Sequence, residues 1–203
     1  MKYRTEQEEF WAGEFGLNYT KRSNTETYLA SKVALWEKIL RVTSNVNSAR
    51  ELGCNLGINL LALKQLKPKI QLSGYEINVE AVKQAIDFNI AKITQGSILE
   101  KINDEKVDLT FTSGVLIHIN PDYLSNVYDN LVNGSNRYIV VSEYYNSVPT
   151  KIAYRGVEDR LFKRDFAGDL IENYGLKLVD YGFVYKRDIR APQDDVTWFL
   201  LEK

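Results

Sequence analysis

The sequence predicts an α/β protein: an open sheet wrapped by helices on both faces and ending in an antiparallel strand pair. Three observations predict it. Residues 50–59, R-E-L-G-C-N-L-G-I-N, place two glycines between a strand-like lead-in and a leucine-rich helix. From there, strand-like and helix-like stretches alternate, as in an open α/β sheet. The two final strand-like runs, 176–186 and 196–201, are separated by a polar turn holding Pro192, and strands joined so closely pair antiparallel most easily.

The elements follow in order. Thr5 and Glu8 have the spacing of a capping box that opens a short helix carrying Phe10, Trp11 and Phe15. In 25–41, Leu29, Val33, Trp36, Ile39 and Leu40 form one helical stripe. The 50–59 turn feeds a helix with Leu60, Leu61, Leu63 and Leu66, stopped by Pro68. Residues 71–77 read as a second strand, and Asn78 caps a helix along Val82, Ala85, Ile86 and Asn89. A short strand at 93–94 precedes Gly96-Ser97-Ile98. Residues 107–113 alternate apolar with polar as a strand does, and Asn120-Pro121 starts a helix through Leu124, Val127, Tyr128 and Leu131. Residues 138–142 form a buried-strand run. Residues 143–163 show no clear period, and irregular segments this long are often functional. A helix over 165–174 ends at Gly175.

Composition narrows the function. The chain has 203 residues, enough for one sizeable core and one domain. With 26 basic and 27 acidic residues, net charge is −1, and no polycationic surface argues for nucleic acid. The single cysteine, Cys54, excludes an internal disulfide and fits a reducing compartment. No stretch has transmembrane length and the N-terminus lacks a signal peptide's apolar centre, so a cytoplasmic protein without a membrane partner is expected.

The chemistry gathers at strand ends. A glycine turn lets backbone approach a ligand, and the following helix N-terminus favours negative groups. The dinucleotide-binding fingerprint needs glycine at the third and sixth positions after the strand; here those are Asn55 and Ile58, which disfavours a nicotinamide oxidoreductase. Glu51, Gly53 and Gly57 instead give E-x-G-x-x-x-G, which resembles motif I of the class I S-adenosylmethionine (SAM) methyltransferases. Asn55 replaces that motif's middle glycine, and Asn tolerates positive φ better than most residues. Glu76, with Ile77 beside it, ends the second strand, where a carboxylate can accept from a ribose diol. Ser97 and Ile98 fall where these methyltransferases hold adenine. Ser113, Gly114 and Val115 resemble motif IV, whose backbone lies beside the methionine part. His118, the one histidine, is a candidate general base; a loop-fixing histidine is the other reading.

The resemblance continues outside these motifs. T-E-Q-E-E-F-W-A-G-E-F-G-L-N-Y-T-K-R (5–22), S-G-V-L-I-H-I-N-P (113–121), E-Y-Y-N (143–146) and Y-R-G-V-E-D-R-L-F-K-R-D-F-A-G (154–168) resemble the pseudaminic acid biosynthesis-associated methylases. That resemblance implies a seven-stranded class I methyltransferase sheet. Residues 1–45 would form an N-terminal helical lid and packing helix, and 46–203 the cofactor-binding core. SAM is the implied cofactor and S-adenosylhomocysteine (SAH) the product, with no metal. Tyr19 and Arg22 match positions near the methionyl carboxylate, and Trp11 would cap the cofactor. Tyr144, Tyr145, Tyr154 and Arg155 are the expected acceptor contacts: flat faces with hydroxyl tips, plus a planar fork for a carboxylate. The implied acceptor is a sugar acid or nucleotide-activated sugar of surface glycan synthesis. A carboxylate on an amino-acid-like metabolite and a non-catalytic SAM-binding protein remain alternatives.

Overall fold

The computed structural model describes residues 3–20, 26–154 and 157–203, with backbone alone at 19, 20, 26, 27, 154 and 157–160. Seven strands form one sheet in the order β3-β2-β1-β4-β5-β9-β8. They are β1 (Ser48–Leu52), β2 (Gln71–Glu76), β3 (Lys92–Gln95), β4 (Val107–Ser113), β5 (Ser135–Glu143), β8 (Lys177–Val184) and β9 (Val196–Glu202). The first five pair parallel; β9 inserts antiparallel between β5 and β8, the ending that the sequence predicts. Chain order reverses between β1 and β4, so their carboxyl ends diverge around a crevice.

Period-two alternation divides the core between the sheet's faces. Val140 and Leu200 join Trp36 and Ile39 of α3 (Glu26–Leu40) and Leu60 and Leu63 of α4 (Ile58–Leu66). Their neighbours Ile139, Val141 and Leu201 face the other way. They meet Val127 and Leu131 of α6 (Leu124–Gly134) and Phe166 and Leu170 of α7 (Phe166–Tyr174). Asn78 caps α5 (Val79–Asp87) as expected, its side chain accepting from the amides of Glu80 and Ala81. Asn120 caps a 3₁₀ turn, Pro121–Tyr123, that runs on into α6.

Two local expectations are corrected. Thr5 accepts from the Glu8 amide, but the Glu8 carboxylate bonds the Arg4 amide at 2.7 Å, one residue before the box would close. Gly13 then ends α1 (Glu6–Ala12), so Phe15 lies on a second helix, α2 (Glu14–Thr20). Residues 143–163 are not irregular throughout: β6 (Thr150–Tyr154) and β7 (Val157–Lys163) form a separate antiparallel hairpin. Their period is hidden because Leu161 and Phe162, adjacent in sequence, are both buried. No helix among the described residues is long and apolar enough to cross a membrane.

Leu131 is fully buried between α6 and the sheet. Leu131→Ala should lower unfolding free energy by about 2–5 kcal/mol. A urea midpoint equal to that of the unsubstituted protein would contradict this packing.

Candidate functional site

The crevice between the ends of β1 and β4 opens into a cavity. Trp11, Glu51, Gly53, Asn55, Glu76, Ile77, Ile98, Ser113, Gly114, Val115 and His118 all line it. The β1 turn is built for close approach. Gly53, Asn55 and Gly57 have φ of 78°, 47° and 76°. A side chain at Gly53 would bring a Cβ within 2.7 Å of Val115 Cγ2, so the turn and the loop after β4 touch only because Gly53 has none. Gly57 lies behind the wall, in the left-handed conformation that opens α4.

Two buried carboxylates hold the loops around the cavity. Glu76 Oε2 accepts from the Asn55 amide at 2.7 Å, and Oε1 from the amides of Ile77 and Asn78 at 2.9 and 2.8 Å. Burial pushes its pKa up and these three donors pull it back. Across the crevice, Glu143 at the end of β5 accepts from Val115 and Leu116 at 3.1 and 3.2 Å, and from Ile117 at 3.5 Å. It thereby caps the 3₁₀ turn Leu116–His118 that carries the histidine. Burial raises the Glu143 pKa to about 7 against those donors.

Glu51 differs. Asn59 Nδ2 donates to its Oε1 at 2.7 Å, and Asn59 Oδ1 receives the Trp36 indole at 3.2 Å, so α3 and α4 fix the carboxylate. Its Oε2 is buried and has no hydrogen-bond partner among the described residues. Burial lifts its pKa to about 8, while Asn59 and Lys32 pull it down. An acid so placed has an open valence for a cationic or donor group of a ligand.

The N-terminal helices close the other side. Trp11 stands 4.6 Å from the His118 ring, centroid to centroid. Asn78 Nδ2 donates to the carbonyls of Trp11, Ala12 and Gly13 at 3.1–3.4 Å, so one side chain caps α5 and holds the end of α1. Ser97 does not line the cavity: its hydroxyl donates to Glu8 Oε1 and accepts from the Leu99 amide, tying α1 to the segment after β3. Tyr144 and Tyr145 do not line it either. Tyr144 packs into the core under Lys163 Nζ, 5.1 Å from the ring, and Tyr145 rests 5.9 Å from Phe199. Arg22 and Arg155 lie outside the described residues, as do the side chains of Tyr19 and Tyr154. Sequence reasoning missed Tyr28, Asn59 and Asn78 in the wall. It also missed Lys32 and Glu143 behind it. No three His, Cys, Asp or Glu side chains among the described residues are grouped to hold a metal.

No family model and no curated protein matches the chain. Solved structures do match its fold. Magnesium protoporphyrin IX methyltransferase (ChlM) from Synechocystis PCC 6803 with bound SAM is similar over 100% of both chains, at TM-score 0.69 and 12% identity. A SAM-dependent methyltransferase from Clostridium acetobutylicum ATCC 824 is similar over 93% of this chain and 97% of that one, at 0.65 and 13%. A putative methyltransferase, solved in complex with the Haloferax volcanii Trm112 methyltransferase activator, is similar over 99% of both chains, at 0.69 and 14%. The chain has the class I SAM-dependent methyltransferase fold.

Removing Asn78's side chain should loosen α1 while leaving the sheet intact. In Asn78→Ala, hydrogen exchange should quicken across residues 6–17 and stay slow in α3. Unchanged protection at 6–17 would mean that Asn78 does not hold the N-terminal helices.

Proposed function

We propose that the chain is a SAM-dependent methyltransferase acting on a small polar metabolite, a sugar acid or its nucleotide-activated form. The observation that carries the cofactor reading is Glu51 Oε2, a buried carboxylate oxygen with no partner among the described residues, on a residue that lines the cavity beside a glycine turn. The ammonium of an amino-acid moiety matches that oxygen. Glu76 has carboxylate lone pairs left for a ribose diol after its three amide bonds. Ile98 offers an apolar face to a base, and Gly53, Gly114 and Val115 let the backbone lie against the methionine chain. These residues fit the group. Bound there, SAM would supply an activated methyl on sulfur, ready for in-line transfer. The protein's part is orientation and exclusion of water, with His118 placed to take a proton from a hydroxyl acceptor.

For the acceptor, the quoted segment resemblances support a sugar acid. The hairpin adds support because β7 packs on the turn carrying His118, and His118 lines the cavity. Tyr154 and Arg155 remain the proposed acceptor contacts; Tyr144 and Tyr145 act from behind, through packing.

Calorimetry should show SAM and SAH binding and no comparable binding of NAD; the reverse result would discard the reading. Glu76→Gln should weaken SAM roughly tenfold or more, since bonds to a charged acceptor contribute on the order of 1.5–3 kcal/mol. His118→Ala should slow transfer to a hydroxyl acceptor by about 10²–10⁴-fold with little change in SAM affinity. A rate near that of the unsubstituted enzyme would favour a carboxylate acceptor, which needs no base.

A further inference from the structure

Lys32 is a lysine inside the protein, 6% exposed, on the face of α3 that also buries Leu35 and Trp36. Ser113 Oγ, at 3.3 Å, is its one hydrogen-bond acceptor among the described residues, and Ser113 lines the cavity. Burial pulls the Lys32 pKa down, and three carboxylates from three other places oppose that and favour its ammonium: Glu51 on β1, Asp194 in the segment before β9 and Glu143 on β5. Tyr28, one helical turn earlier, has its ring 5.2 Å from Nζ and lines the cavity. The segment before β9 is held down by Gln193 Nε2, which donates to the Ser31 carbonyl at 3.0 Å and closes Lys32 off from solvent. Around Glu51 itself the charged and titratable neighbours among the described residues are Lys32, Glu76, Tyr28 and Cys54. Lys32 is the cation in that set.

We propose that Lys32 is a positioning residue: from behind the cavity wall its ammonium fixes Ser113 Oγ and keeps the Glu51 carboxylate charged for the ligand's ammonium. This rests on the cofactor reading above. The direction of its effect follows from simple electrostatics. Burial drives Glu51 toward its protonated form, and a nearby cation opposes that. A protonated Glu51 cannot pair with an ammonium. Affinity is therefore full above the Glu51 pKa of about 8 and falls as pH drops through it. Removing the Lys32 charge lifts that pKa further, so the falling limb moves to higher pH.

The test is SAH affinity by calorimetry from about pH 6 to pH 9, on the full chain. The ligand's own amine titrates identically in every variant, so differences between profiles belong to the protein. Lys32→Gln keeps a donor for Ser113 and drops the charge; its midpoint should rise by about one pH unit, the usual effect of one nearby charge. Lys32→Arg should restore the original midpoint, and Glu51→Gln should flatten the profile. Lys32→Met, of similar length and apolar, reads the same shift if Lys32→Gln fails to fold. A uniform loss of affinity with an unmoved midpoint would make Lys32 a packing residue and overturn the proposal. So would a flat profile in the unsubstituted protein. Absence of SAH binding at every pH would overturn the cofactor reading itself, a result distinct from either.

Discussion

Buried carboxylates that accept backbone amide hydrogens hold this site together. The crevice of an open α/β sheet is made of loops, which have little packing of their own to fix them. Glu76 and Glu143 supply what packing does not: each ends a strand of the rigid sheet and takes three amide N–H groups from the loops flanking the crevice. Amide-to-carboxylate bonds are stronger than neutral ones, and inside a protein a broken one leaves a desolvated charge. The two loops consequently have one arrangement, in which Gly53 and Val115 touch and His118 faces the cavity.

Much of this was legible in the sequence, for identifiable reasons. Glu51, Gly53 and Glu76 declare themselves because strand ends and positive-φ turns constrain residue type locally. Asn78 was legible as a cap, but its grip on α1 depends on a residue 67 positions away, which no local pattern carries. Lys32 was hidden by its surroundings. The stripe through Leu29, Val33 and Trp36 marks the inward face of α3, and a lysine next to it reads as outward. Its spacing is the one signal: a lysine four residues before the buried Trp36 stands on the same helical face. Glu143 appeared only as the first letter of E-Y-Y-N, where the tyrosines drew attention to aromatic contact. The carboxylate is the member that reaches the site.

The hairpin shows a different limit. Thr150–Tyr154 and Val157–Lys163 form two strands whose alternation is hidden, because Leu161 and Phe162 are both buried. Strand pairing here is decided by what the hairpin covers: the turn bearing His118 and the apolar layer under α6 and α7. A sequence read one segment at a time sees neither. The same distinction explains Tyr144, whose ring contacts both faces' core clusters and so fixes where the chain leaves β5.

Charge then sets one end of the site apart. Glu51, Glu76 and Glu143 bring three carboxylates to the crevice, and Lys32 stands among them as one cation. Burial raises the pKa of all three carboxylates, so a ligand carrying positive charge, which favours their ionised forms, is preferred there over an anion. A sugar acid, as the proposed acceptor, has to keep its carboxylate away from that end while presenting a hydroxyl to His118. The hairpin's sequence carries charges of both signs, Glu158 and Asp159 as well as Arg160 and two lysines. Lys151 and Lys163 lie there, and Lys163 is held over the Tyr144 ring rather than paired in an ion bridge among the described residues. Under the proposed function, an acid group on the acceptor is turned away from the crevice by the same carboxylates that favour the ligand's ammonium.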